Sequence, residues 1–176
     1  MIVDQPDSHY IFLFSKKYIY AKSNYIQYKQ KPLTNKEYLQ HWGKWLVLGA
    51  REELEELAKR LDPYVEREQI PCIKFDRAIQ KEFQEMLLNE CVMLVYCDDR
   101  EREDVWKILA QEGVTSKAWH YEKDTMEAWL PGGRLIECWI RARGLTGHDV
   151  EKIREDSIRY FSQFQDEDAI FTGVIQ

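Results

Sequence analysis

Aromatic and β-branched residues crowd positions 10–14 and 18–20 on either side of the polar Ser15, Lys16 and Lys17, the pattern of a hairpin with a polar turn. Residues 25–28 can add a third strand. Thr34 and Glu37 stand at capping-box spacing and predict a short helix through Tyr38 and His41, stopped by Gly43. Residues 44–48 read as a strand that Gly49 closes. From Arg51, the apolar Leu54, Leu57, Ala58 and Leu61 recur at helical spacing, with Glu52 and Glu53 in the first turn. This helix is expected to end at Asp62-Pro63, because the residue before proline avoids the α region. Residues 70–75 alternate, with Ile73 and Phe75 on one face and Cys72 and Lys74 on the other. Asp76 is placed to cap a helix carrying Ile79, Phe83, Met86 and Leu87. Residues 91–97 are apolar on both faces, as a central strand covered on two sides must be.

Asp98 and Asp99 can cap the next helix, with Val105, Ile108 and Leu109 inward and Gly113 at its end. Residues 114–121, 127–130 and 135–140 read as strands, the last two joined by the turn Pro131-Gly132-Gly133-Arg134. Thr146 is expected to cap a helix bearing Val150, Ile153, Tyr160, Phe161 and Phe164, and residues 170–175 are strand-like. The series predicts an α+β fold: a mixed, largely antiparallel sheet with three or four helices packed mainly on one face. One domain is expected over residues 1–176, a basic aromatic hairpin segment at 1–30 followed by an α/β body at 42–176.

Composition sharpens this picture by position. With 176 residues and 44% of them hydrophobic, one packed core without disulfide staples is expected. Residues 1–50 hold 7 Lys against 3 acids, a balance of +4, and 10 of the 23 aromatic rings. The remainder carries 18 basic and 28 acidic residues, a balance of −10. Cys72, Cys91, Cys97 and Cys138 lack the density of a disulfide scaffold, and no secretory leader is legible before Tyr10. A reducing cytoplasm is the expected setting. The longest apolar run is far short of a membrane span, so no membrane partner is expected.

The order Gly43-Lys-Trp45, a helix, Ile73-Lys74, then Val95-Tyr96-Cys-Asp98, a second helix, Gly113-Val114 and Tyr121-Glu-Lys-Asp-Thr125 resembles the basophilic-leukaemia-expressed protein family over residues 42–125. Position 97 is Cys where that family has Thr. The resemblance implies a curved, mostly antiparallel sheet backed by helices, similar to the cap-binding fold of translation initiation, and implies no catalytic residue. The two stacking tryptophans and the acidic partner that cap binding requires do not map onto particular residues of this chain.

No C-x-x-C pair and no H-x-x-x-H or H-E-x-x-H spacing is present, so neither a metal nor a cofactor is implied. Cys97 ends the presumed central strand before a helix, where a thiolate can be stabilised. Asp98, Asp99, Glu101 and Glu103 oppose that by raising the thiol pKa, so a buried structural cysteine is expected. Asp98 and Asp99 can either cap a helix or hold a cation. Gly132, Gly133 and Arg134 can make a tight turn or present an anion with N–H groups and a guanidinium. Lysines 16, 17, 22, 29, 31 and 36 interleave with Tyr18, Tyr20, Tyr25 and Tyr28, a combination suited to single-stranded nucleic acid and equally to a protected edge hairpin. Trp45 and Trp139 are expected in the core. Trp119 and Trp129 alternate with polar residues, and together with Tyr121, Lys74 and Arg134 they are expected to form a ligand-binding sheet face. The expected function is a non-catalytic binding or adaptor module for a nucleotide-like ligand, single-stranded nucleic acid or a protein partner, with a homodimer as the reading if an exposed patch proves apolar and two-fold. The alternative is a small enzyme acting on a phosphorylated or anionic metabolite, with Gly132, Gly133 and Arg134 holding the anion and Asp98 or His120 moving the proton.

Overall fold

The structure, a computed structural model, describes residues 1–21, 25–86 and 89–173. In chain order its elements are β1 (Ile2–Asp4), β2 (Tyr10–Phe14), α1 (Lys16–Ile19), β3 (Gln27–Tyr28), β4 (Lys31–Pro32), α2 (Asn35–His41), β5 (Trp42–Gly49) and α3 (Arg51–Glu66). There follow β6 (Cys72–Asp76), β7 (Cys91–Asp98), α4 (Arg102–Gln111), β8 (Trp119–Tyr121), α5 (Glu122–Ala128), α6 (Arg134–Ala142) and α7 (His148–Ser162). Six strands form an antiparallel sheet in the order β1-β2-β6-β7-β5-β8, and among the described residues β3 pairs only with β4. The fold is α+β, as the sequence predicts, with more helices than expected. Residues 91–97 do form the inner strand, flanked by β6 and β5.

Register sorts the side chains onto two faces. Leu13 lies opposite Ile73, Ile73 opposite Val95, Val95 opposite Trp45, and Trp45 opposite Trp119. This face packs under Leu54, Leu57, Ala58, Leu61 and Val65 of α3 and Val105 and Leu109 of α4, all buried. On the other face Phe14, Cys72, Tyr96, Lys44 and His120 form one row across five strands, beside the row of Phe12, Lys74, Leu94 and Leu46. A second buried cluster covers that side, with Tyr38 of α2, Met126 of α5, Phe164 and Phe171 gathered on Trp42, Cys72 and Tyr96. Helices therefore lie against both faces.

Several local expectations are corrected. Residues 18–20 do not return as a hairpin strand: the Ser15 hydroxyl accepts the Tyr18 N–H at 3.1 Å and caps α1. The segment 25–28 contributes only β3, outside the main sheet. Pro63 lies inside α3, which continues to Glu66 and brings Val65 to full burial. Residues 81–86 form 3-10 turns, and Asp76 caps no helix, its carboxylate accepting instead from Gln80 Nε2 at 2.6 Å and the Val92 N–H at 2.8 Å. Leu87 falls outside the described residues. Of residues 114–121 only Trp119–Tyr121 is strand, and residues 127–130 and 135–140 belong chiefly to α5 and α6. The cap of α7 is Gly147, at φ 56°, and not Thr146. Within its described residues the segment from 170 makes a single bridge, Ile170 to Thr34; residues 174 and 175 lie outside the described set.

Candidate functional site

A charged residue on a strand covered from both sides needs a partner or a job, because leaving an ammonium unpaired in a low-dielectric core is prohibitive. The second sheet face carries two such residues: Lys44 is 4% exposed and Lys74 7%. Lys44 sits on β5 between Trp42 and Leu46, one strand from Tyr96. Its Nζ donates to Glu122 Oε2 at 2.5 Å and Thr125 Oγ1 at 2.8 Å, both from the first turns of α5. It lies 5.6 Å from the centroid of the Tyr96 ring. Lys74 reaches the same ring from β6 at 5.7 Å and lies 4.4 Å from the ring of Tyr10. Burial pulls the Lys74 ammonium down to about 8, and the Lys44 charge adds to the effect against the opposing pull of Glu122. Tyr10 and Tyr96 are both raised, chiefly by burial.

Neighbouring residues in the chain explain how this face is held. Gly43 has no space for a side chain: a Cβ there would meet Trp119 Cζ2 at 2.3 Å and the His120 carbonyl at 2.8 Å. Trp45 turns its Nε1 to the Arg102 carbonyl at 3.1 Å and packs between Trp106 and Trp119. Gly43 and Trp45 thus anchor β5 to β8 and α4 while Lys44, between them, points to the opposite face.

A second polar group closes the end of β7. Asp99 accepts from His41 Nδ1 at 2.9 Å on one oxygen and from the Tyr121 hydroxyl at 3.0 Å on the other. Asp98, 1% exposed, takes the Arg100 guanidinium on both oxygens at 2.7 Å and caps the following turn through the Arg100 N–H. The guanidinium lies 3.7 Å from the ring centroid of Tyr28. Donor atoms of His41, Asp98 and Asp99 approach within 4.8 Å of one another, but each carboxylate oxygen already has a protein partner.

The five predicted ligand residues do not share one face. Trp119 and Tyr121 occupy alternate positions on β8 in register with Trp45 and Gly43, whereas Lys74 lies on the opposite side of the sheet. Alternation from Lys74 and Trp119 alone could not reveal this, since relative face depends on the register between strands. Trp129 ends α5, edge-on to Phe83, and Arg134 opens α6, which packs on residues 81–86 and α5. Among the described residues no hydrogen bond or ion pair joins Arg134 to Asp98 or His120, and the glycines of 131–134 form a turn between two helices rather than a hairpin. Trp45 is buried as expected, but Trp139 is only partly so, under Arg143 at 4.8 Å. Cys97 is fully buried and its thiol is raised by burial first and by Asp98, Glu101 and Asp99 next. The basic segment is partly offset by the body, since Lys17 pairs with Glu68 at 2.9 Å and Lys36 with Glu167 at 3.4 Å. Lys22 falls outside the described residues.

Sequence reasoning missed Lys44, Glu122 and Tyr96 as members of a site. The available signal was a lysine at the same strand parity as Trp42 and Leu46, an inward position for a charge. Two shallow depressions, of about 420 and 400 Å3, lie elsewhere, one beside Leu54, Leu57 and Val114 and the other beside His9, Arg77 and Ile79. No family model matches the sequence, and neither the curated proteins nor the solved structures yield a match. No helix among the described residues is long and apolar enough to cross a membrane.

Proposed function

We propose that the protein is an intracellular binding module whose ligand is a small anion seated on the Lys44–Lys74 face. The observation that carries this reading is the burial of two lysines on adjacent rows of one sheet face, within reach of a shared tyrosine ring. Apolar side chains of the same volume would stabilise such a layer at least as well, so buried charge is weak evidence for a purely structural role. Strongly shifted groups cluster at functional sites for this reason. Tyr10, Phe12 and Phe14 line the same face beside the lysines, which suits an anion with a planar body. Residues Lys44, Lys74, Tyr96, Glu122 and Thr125 all come from the motifs that resemble the basophilic-leukaemia-expressed proteins, and we keep that kinship within the proposal. The four unpaired, buried cysteines support a reducing compartment. Thermal unfolding in rising inorganic phosphate, acetate and adenosine monophosphate tests the reading. Saturable stabilisation by one of these anions is expected, lost in Lys44→Met and Lys74→Met and retained in the surface variant Lys107→Met. Equal stabilisation of all four proteins would refute it.

A further inference from the structure

We infer that the open end of strand β5 is a docking site for an extended, basic peptide segment of a partner protein, added to the sheet as a short antiparallel strand. The site lies on the α3 and α4 side of the sheet and is independent of the lysine-bearing face. β5 runs eight residues, Trp42–Gly49, and pairs with β7 over its full length. On its other side it pairs with β8 only at Gly43, Lys44 and Trp45, and the last bond runs from the Leu46 N–H to the Ala118 carbonyl at 2.9 Å. Successive residues of an antiparallel strand turn their N–H and C=O groups to opposite neighbours. Leu48, two residues beyond Leu46, therefore aims both groups at the side that β8 has left. Among the described residues neither group has a strand to pair with. Edges of this kind are normally blunted by Lys, Pro or a bulge. Val47-Leu48-Gly49 has no Lys or Pro, and its register with β7 is unbroken.

The space beside Leu48 is the depression of about 420 Å3, whose apolar wall is Val47, Leu54 and Val114, members of the core beneath α3 and α4. Leu48 itself, on the opposite face of the strand, is 49% exposed. A strand laid along this edge at the usual spacing of about 4.8 Å sets one residue opposite Leu48, on its exposed face. The residues before and after that one point toward Val47 and Val114. Strand addition thus supplies main-chain bonds for affinity and alternate side-chain positions for selectivity. Charge selects the occupant. Glu53, Glu90 and Glu112 rim the depression, and Arg60 beside them is already paired with Glu112 at 3.3 Å. A second copy of this chain would bring the same acids against them, whereas Lys or Arg flanking a short apolar run meets them with opposite charge.

Fluorescence anisotropy of the folded full-length chain with the fluorescein-labelled peptide Lys-Lys-Val-Ile-Val-Lys-Lys tests this. Saturable binding is expected, at least about tenfold tighter than for Glu-Glu-Val-Ile-Val-Glu-Glu, with the difference shrinking as salt rises. N-methylation of the peptide at Ile, which removes the N–H aimed at the Leu48 carbonyl, should weaken binding about fivefold. Leu48→Pro removes only the outward N–H of β5 and leaves the ladder to β7 intact, so it should weaken binding by a similar factor with an unchanged circular dichroism spectrum. Should that variant unfold, the N-methylated peptide still decides. Glu90→Lys should narrow the gap between the lysine and glutamate peptides. Absence of binding, equal affinity for the two peptides, or indifference to N-methylation overturns the inference. A dimer in sedimentation equilibrium that Leu48→Pro dissociates would assign the edge to a second copy and overturn it as well.

Discussion

The proton on Lys74 is held less tightly in the folded protein than in the unfolded chain, and stability must reflect it. The unfolded side chain keeps its proton up to its ordinary value of 10.5, whereas the folded one sheds it near 8. Between those values the unfolded state binds more protons, so folding stability attributable to this residue rises with pH across the window. Below pH 8 the full cost is present, about 3 kcal/mol from the size of the shift. Lys74→Met should therefore gain stability relative to wild type at pH 7, and the gain should shrink as pH rises from 8 to 10.5. Urea denaturation at a series of pH values measures it, and a difference between the two proteins that is flat over that range would contradict the burial of a charge here. At this scale the sequence was half legible. Alternation puts Lys74 with Cys72, opposite Ile73 and Phe75, and the sheet has them so. That Lys44 and Glu122 pair on the neighbouring row of the same face was not legible, because β5 and β6 are separated by β7 in the sheet and Glu122 arrives from a helix that follows β8.

Elements with long, strongly periodic patterns were legible and short apolar runs were not. The helix stripe of Leu54, Leu57, Ala58 and Leu61 and the capping box of Thr34 and Glu37 appear as read, the latter with both of its reciprocal bonds, at 3.0 and 3.2 Å. Residues 135–140 place apolar side chains so densely that periodicity cannot separate strand from helix. Tertiary packing resolves it, with Ile136, Cys138 and Ile140 buried in a helix that rests on residues 81–86 and α5. Asp62-Pro63 predicts a stop on local grounds, yet α3 runs through it. Its ring is exposed and lacks the N–H that would bond to the Lys59 carbonyl one turn earlier. The burial of Val65 and Ile70 beyond it offsets that loss. Pro63→Ala should thus stabilise the protein by about 1–3 kcal/mol, read as a higher guanidinium midpoint with an unchanged slope. A lower midpoint would mean that the ring packs or restrains the unfolded chain more than its exposure indicates.

At the scale of the molecule, two buried clusters share one sheet and differ in how much of the chain they need. The cluster beneath α3 and α4 draws on residues from Ile11 to Val114. The cluster on the lysine-bearing side requires Met126, Phe164 and Phe171 as well. Phe171 is 1% exposed, donates its N–H to the Leu33 carbonyl at 2.8 Å and stacks on Tyr38 with ring centroids 3.7 Å apart. A chain ending at residue 168 should lose about 3–5 kcal/mol, the usual cost of deleting a buried Phe. Hydrogen exchange should show faster opening of α2 while the amides of α3 keep their protection. Uniform acceleration of both would mean that the two sides open as one unit.

This division also has an order in time. Residues leave the ribosome from the N-terminus onward, so the side beneath α3 and α4 has all its fully buried members once Val114 has emerged. The opposite side must wait for Phe164 and Phe171. During that interval the nascent sheet presents Lys44, Lys74 and Tyr96 without their aromatic cover. Phe164 and Phe171 therefore close over the lysine-bearing face after the opposite core has formed.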